Sequence, residues 1–365
     1  MRSTMHPTRH RPSRPRGGLL AAVTVAAALV LAGCGGSSAA TGEDRGSGGA
    51  AAGSSGGDAQ RAGHFPVTID SALGEATISE PPERVVTLGQ GSTGTAIAMG
   101  HVPVGIEKYP WGSDQSGYLP WVHQAVEEAG AKLPQQFTGG TELDIEAVAA
   151  LEPDVILAPW SGITQQQYDL LSQIAPTVAY PDKPWSTQWA EQIRIIGTAL
   201  GEPTEAREEI AEIKDRFAQV REQNPGFAKH TFAYTYTNGP GTFGVYLKGE
   251  QRVEMLRKMG LELAPAVAKM PAQNGNWYAE LGLENVDTVK DADLLFTWYM
   301  DGKSRRQLMK QPLYAGIPAI ERGSVVAAKD HPFVTASSMI NPLTVPWSID
   351  RYVPMIHEAI DHVER

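Results

Sequence analysis

The chain has 365 residues, 31 basic and 41 acidic side chains, and a formal net charge of −10. Residues 1–33 hold five arginines and no acid, so the remainder carries 26 basic against 41 acidic groups. Such a surface repels nucleic acid, and no basic stripe crosses it, so a nucleic-acid partner is excluded. Cys34 is the single cysteine, which rules out an internal disulfide and leaves any fold to be held by its core.

Arg2, Arg9, Arg11, Arg14 and Arg16 precede fourteen apolar or small residues, Leu19 to Ala32. A basic start, a short apolar run and small residues before a cut site make an export signal. Fourteen residues fall short of the roughly 20 that cross a hydrocarbon core of about 30 Å. The run ends in Leu31-Ala32-Gly33-Cys34, which resembles the lipobox of bacterial lipoproteins. That resemblance implies a signal peptide over 1–33, cleavage before Cys34, and a diacylglyceryl group on its thiol. Two acyl chains anchor a protein durably where one is marginal. The expected location is extracytoplasmic, on the outer face of the cell membrane.

Residues 34–63 are rich in Gly, Ala and Ser, bury no apolar area, and read as a flexible tether. Phe65-Pro66-Val67-Thr68-Ile69 and Ala76-Thr77-Ile78 alternate like a small hairpin. Arg84-Val85-Val86-Thr87-Leu88 is a buried strand by its β-branched run. A helix follows over Thr95 to Met99, then a strand at Val102-Pro103-Val104-Gly105-Ile106. This strand, helix, strand rhythm belongs to a parallel sheet. A first α/β lobe is thus expected over 64–202.

A weak repeat supports a second lobe over 226–365. Leu143-Asp144-Ile145-Glu146-Ala147-Val148 leads into Asp154-Val155-Ile156-Leu157 and Trp160. Leu281-Gly282-Leu283-Glu284-Asn285-Val286 leads into Asp293-Leu294-Leu295-Phe296 and Trp298-Tyr299. Each copy reads as a short helix, a buried strand and aromatics at the strand's carboxyl end. Between the lobes, 203–225 reads as one helix, with Thr204 as its cap. Ile210, Ile213, Phe217 and Val220 form its apolar face. At 1.5 Å per residue it spans about 33 Å, roughly a domain diameter.

Several stretches together resemble the ferric-siderophore-binding lipoproteins of ABC importers. They are Pro82-Glu83-Arg84-Val85-Val86, Leu143-Asp144-Ile145-Glu146, Glu152-Pro153-Asp154-Val155, Leu170-Leu171-Ser172-Gln173-Ile174-Ala175-Pro176 and the tail from Ser337 to Trp347. The resemblance covers about residues 65–360 and implies a class III substrate-binding protein. That means two Rossmann-like α/β lobes joined by a single long interdomain helix, with the ligand in the cleft. It also implies a monomer that delivers its ligand to a permease dimer. Vitamin B12 and haem binders share the architecture, so haem or cobalamin stands as the alternative ligand.

Ligands of open α/β sheets sit beyond the carboxyl ends of the strands. That rule points Gln90, Trp160, Tyr234, Tyr236, Trp298 and Tyr299 at the cleft. Trp111 and Trp277 lie in loop-like stretches, and Arg305 and His331 follow strands of the second lobe. The candidate ligand-binding set is therefore Trp111, Trp160, Tyr236, Trp277, Trp298, Tyr299, Arg305 and His331. Aromatic faces suit the organic shell of an already chelated iron, so no protein metal site and no cofactor is expected. The same aromatics could equally pack a core. Where some hydroxamate-binding relatives carry an Arg, this chain has Gly139-Gly140-Thr141. In the family, an acidic residue on each lobe docks onto permease arginines. Glu254 fills that place in the second lobe, and Gln166 stands where relatives often have Glu.

Two other classes compare poorly. A direct metal binder needs converging His and carboxylates, and the histidines here have no metal spacing. A secreted hydrolase needs a nucleophile on a sharp turn, and Gly89-Gln90-Gly91-Ser92-Thr93-Gly94 only approaches such a motif. No enzymatic activity is expected. If Cys34 carries the anchor, Cys34→Ser shifts the protein from the membrane fraction to the soluble fraction. Identical partitioning of variant and parent would refute the anchor.

Overall fold

The computed structural model describes residues 63–239, 241–272 and 277–365, so the signal, Cys34 and nearly all of the tether lie outside the described residues. An antiparallel hairpin comes first, β1 (Val67–Ser71) on β2 (Gly74–Ile78), with Val67 opposite Ile78. It is followed by β3 (Val85–Thr87), β4 (Gly105–Glu107), β5 (Gln135–Phe137), β6 (Val155–Leu157) and β7 (Thr177–Val178). These five form a wholly parallel sheet in the order β5-β4-β3-β6-β7. Parallel strands covered on both faces read as continuous apolar runs. Here Val85, Val155 and Leu157 face one core cluster, and Val86 and Ile156 face another.

The second sheet is mixed. It holds β8 (Thr231–Tyr236), β9 (Gly244–Tyr246), β10 (Glu262–Leu263), β11 (Tyr278–Glu280), β12 (Leu294–Trp298) and β13 (Val325–Ala328). The order is β11-β9-β8-β12-β13, with β10 on the first half of β8. β9 runs antiparallel to both β8 and β11, while β12 and β13 are parallel. The central strands β3 and β8 occupy equivalent places, and the repeat supplies the neighbour of each, β6 and β12. The repeated aspartates do the same work in both lobes. Asp154 accepts from Glu83 N at 2.7 Å and Arg84 N at 2.9 Å. Asp293 accepts from Thr231 N at 2.8 Å and Thr231 Oγ1 at 2.9 Å. Each carboxylate thereby satisfies backbone donors at the start of its lobe's central strand.

The two helices of the repeat differ. Ile145–Ala149 is an α-helix, capped by Asp144, which accepts from Ala147 N at 3.0 Å. Leu283–Val289 is instead a 3₁₀ segment kinked at Asn285. The residue matching Asp144 is Gly282, which has no side chain to cap the first turn, so tighter bonds take over.

The lobes are joined by the Pro203–Gln223 helix, 21 residues long. Thr204 is not its cap. Pro203 takes the first helical position, which needs no N–H donor, and Glu202 becomes the flanking residue without a side-chain cap bond. Ala206, Ile210, Ile213, Phe217 and Val220 are all buried. A Cβ on Gly197 would come within 2.4 Å of the Ala206 Cβ, so that glycine lets the Trp189–Leu200 helix lie close alongside. A third cluster joins Ile97, Trp121 and Val122 of the first lobe to Ala336 and Met339 of the second, with Trp347 packed against it. Trp121 and Trp347 meet edge-on at 5.3 Å. Phe217 is 1% exposed. Phe217→Ala is expected to cost about 3–5 kcal/mol in denaturant unfolding, the range of a buried aromatic truncation. A loss below about 1 kcal/mol would show that this stripe does not hold the core.

Candidate functional site

Loops leaving the carboxyl ends of the strands in the two lobes touch each other. Trp111 lies in the loop after β4, and Trp298 ends β12. Their rings meet edge-on with centroids 5.7 Å apart. Trp111 also stacks on His331 of the second lobe at 4.3 Å and 16°. A Cβ on Gly112 would fall 2.4 Å from Thr335 Oγ1. One loop of the first lobe is therefore seated on the second, and the cleft lies around this contact. His331 is held in place locally. Asp330 caps the His331–Ala336 helix by accepting from Phe333 N at 2.7 Å, and His331 Nε2 donates to Met300 O at 2.9 Å.

The second lobe gathers hydrogen-bond donors beside this aromatic bridge. Tyr236 ends β8, is 5% exposed, and lies 4.9 Å from the Tyr246 ring of β9. The Arg252 guanidinium sits over the Tyr246 ring at 4.6 Å and is ion-paired with Glu250. Burial works against the charge of Arg252, and the Glu250 carboxylate together with the Tyr246 and Tyr234 hydroxyls outweighs it, so the guanidinium pKa stands above its usual value. The Trp298 indole borders the Tyr246 hydroxyl. Tyr236 Oη, Arg252 Nε and Trp298 Nε1 are buried and have no hydrogen-bond partner among the described residues. An unpaired buried donor costs about 1–3 kcal/mol. The three cluster around the Tyr246 ring at the strand ends of the second lobe. A cavity of about 290 Å³ opens here, lined by Trp298, Asn238, Met300 and Ser304.

The first lobe adds a carboxylate and a second aromatic pair. Glu107 ends β4, and its Oε2 accepts from Gly89 N at 2.9 Å and from the Tyr109 hydroxyl at 3.1 Å. A Cβ on Gly139 would overlap the Glu107 carboxyl at 2.2 Å, so the glycine makes room for it. Burial, and then the Glu107 charge, push the Tyr109 pKa well above the usual tyrosine value, which keeps this hydroxyl a neutral donor. Trp160 meets Trp185 edge-on at 4.9 Å. Trp185 is 47% exposed, has a φ of 60°, and seats its ring over Gly162. A left-handed backbone is uncommon for a bulky residue and clusters at binding sites.

The structure thus brings together Trp111, Tyr236, Trp298 and His331, with Trp160 at the end of β6. It separates others. Tyr234 is a core residue between Phe296 and Tyr246. Tyr299 turns the opposite way from Trp298, as strand alternation requires. Its hydroxyl lies 3.2 Å from that of Tyr314, and Arg305 stands 5.9 Å from its ring. Both line a different cavity, about 610 Å³, between β13 and the Thr344–Val363 helix. Trp277 packs over Gly249 at the outer edge of the second sheet. The Gln90 backbone carbonyl accepts from Gln192 Nε2 at 2.7 Å. Gln166 is exposed on the Gln165–Leu171 helix, and Glu254 pairs with Arg257 at 2.7 Å. Ser92 is fully buried at the start of a helix, so the glycine-flanked serine presents no nucleophile. Sequence reasoning missed Arg252, Glu107 and Trp185 as cleft residues. Arg252 sits six residues after Tyr246, and the glycines around Glu107 were the available signal. Among the described residues, no group of three or more His, Cys, Asp or Glu is arranged to hold a metal ion.

Two α/β lobes on one long helix, with a cleft at the strand ends, define a class III substrate-binding protein, not an enzyme. The chain belongs to the periplasmic binding protein family, whose profile matches residues 85–332. It superposes on the crystal structure of PiaA from Streptococcus pneumoniae TIGR4 in complex with ferrichrome with a TM-score of 0.73 and 32% identity, covering 81% of this chain and 99% of that one. A periplasmic solute-binding protein of Mycobacterium smegmatis gives 0.69 and 28%, with 80% and 98% covered. The ferric enterobactin-binding periplasmic protein FepB of Escherichia coli is 28% identical over 282 residues, 74% of this chain and 86% of its own. Because Gly112 abuts Thr335, Gly112→Val is expected to hold the lobes apart. Small-angle scattering would then report a larger radius of gyration than for the parent. An unchanged radius would mean that this contact does not set the closure.

Proposed function

We propose that the protein captures an iron(III)-siderophore in the interlobe cleft and delivers it to the permease dimer of an ABC importer, tethered through a lipid on Cys34. The observation that carries this reading is the trio of unpartnered donors, Tyr236 Oη, Arg252 Nε and Trp298 Nε1, beside the Trp111–Trp298–His331 bridge. A ferric siderophore presents chelating oxygens set in an organic shell. Donors suit the oxygens, and indole faces suit the shell. The iron then stays within the chelator, and the protein supplies shape and hydrogen bonds. PiaA is described in complex with ferrichrome, and FepB is named for ferric enterobactin, which supports the same class of ligand here.

Trp111 would close over the bound chelate from the first lobe, with Trp160 and Trp185 offering a second aromatic wall. Delivery would use the faces that carry Glu254 and Gln166. Glu254 can exchange its Arg257 partner for a permease arginine, whereas the Gln166 amide cannot form a charge-assisted pair.

One paired experiment tests both parts. Purified protein is titrated with ferric siderophores, haem and cobalamin by tryptophan fluorescence, and iron uptake is measured in cells carrying each variant. Trp298→Ala is expected to weaken siderophore binding by about 1–3 kcal/mol, the worth of a buried ring and its contacts. Glu254→Ala is expected to reduce uptake while affinity in solution is kept. Preferential binding of haem or cobalamin would replace the ligand, and normal uptake with Glu254→Ala would remove that residue from the docking face.

A further inference from the structure

We infer that the cleft selects a ferric chelate of neutral or positive charge, and that the Glu107 carboxylate receives an ammonium or other hydrogen-bond donor of that ligand. This rests on the binding function proposed above and narrows its substrate class. The argument is one of charge and donor count. In the second lobe the charged donor is Arg252, and Glu250 already neutralises it. The other donors gathered there, Tyr236 and Trp298, are uncharged. Glu280 faces Tyr236 and is held by Asn238 Nδ2 at 3.2 Å, which adds negative charge on that side. In the first lobe Glu107 adds another carboxylate. Asp114, farther along the same loop, is bonded to Ser116. Arg305 and Lys329 line the cavity beside β13 that His331 also borders, and there Asp301, Asp330 and Glu358 accompany them.

Around the bridge and the cavity that His331 borders, then, acids outnumber bases among the described residues, and the Arg252 guanidinium is already matched. Neutral N–H and O–H donors can bind the oxygen rim of an uncharged tris-hydroxamate chelate. They cannot compensate a tris-catecholate chelate bearing a threefold negative charge, to which the carboxylates Glu107 and Glu280 add repulsion. Glu107 is poised for a different task. Its Oε2 is occupied by Gly89 N and Tyr109, and its Oε1 has no hydrogen-bond partner among the described residues. Glu107 ends β4 and the loop that follows carries Trp111, so the carboxylate stands at the carboxyl end of the first sheet, the end from which that indole meets the second lobe. A carboxylate so placed favours a cationic end on the chelate.

The test uses three iron chelates with purified protein, read by tryptophan fluorescence. Ferrioxamine E is a neutral ring. Ferrioxamine B has the same hydroxamate chemistry on an open chain that ends in an ammonium. Ferric enterobactin is the tris-catecholate. Both ferrioxamines are expected to bind, with B at least as tight as E and enterobactin weaker by about tenfold or more. Glu107→Gln keeps an acceptor for Gly89 N and is expected to lower the affinity for B about tenfold more than that for E. In the parent protein the preference for B over E should also shrink between about 0.05 M and 0.5 M salt. Enterobactin binding as tightly as the ferrioxamines overturns the inference. So does a Glu107→Gln effect that is equal for B and E, which would mean that the carboxylate only braces the Gly89 turn. Failure of all three chelates to bind would instead fall on the siderophore reading itself.

Discussion

Ala206, Ile210, Ile213, Phe217 and Val220 form an apolar stripe that belongs to both lobes at once. The core cluster that contains it runs from Val85, Val155 and Leu157 of the first sheet to Phe232, Leu294 and Phe296 of the second. A helix whose stripe is buried on both sides cannot swivel freely, because any large rotation would expose that stripe to water. The lobes are therefore held at nearly fixed spacing, and their strand ends are left facing one another. The aromatic bridge can form because this spacing puts the loop after β4 within reach of β12.

That arrangement sorts the residues into two kinds. Those at strand starts, such as Asp154 and Asp293, satisfy backbone groups and hold the sheets. Those at strand ends, such as Glu107, Tyr236 and Trp298, carry polar atoms that the fold itself does not fully use. A cavity of about 700 Å³ beside Asp154 and Pro176 lies at the starts of β3 and β6, where the carboxylate is already spent on Glu83 and Arg84. Volume alone therefore does not identify the site. The position along the strands does.

How much was legible from sequence depends on the range of the interaction involved. β3, β6 and β12 could be read because burial on both faces demands an unbroken apolar run, a local property. The bridging helix could be read from its 3.6-residue period. Its cap could not, since Pro203 and Thr204 compete for the same turn and the proline's fixed φ prevails. The helix of the second repeat tightened because Gly282 stands where Asp144 caps the first. At the site, Trp111, Trp298 and His331 could be proposed from strand-end logic, but their contact is made across lobes. Arg252 carries no local signal of its place because Tyr246 and Glu250 enclose it from outside its own helix. Glu107, one residue past the predicted strand, carries no local signal because Gly89 and Gly139 reach it only in three dimensions. Tyr299 misled for the opposite reason, since one step along a strand turns a side chain to the other face.

The pairing of β9 with β11 has a bearing on descent. Without those two strands the second sheet reduces to β10-β8-β12-β13, which matches β4-β3-β6-β7 of the first, aspartate for aspartate. The molecule thus reads as two copies of one ancestral half, the later copy enlarged by two antiparallel strands. Tyr246 ends the first of those strands, Glu250 and Arg252 follow directly from it, and Tyr236 leads into it. Most of the second lobe's chemistry thus sits on the part that the halves do not share. Lineages could exchange or remodel that insertion to accept a different cargo, while the duplicated frame and its bridging helix are inherited unchanged.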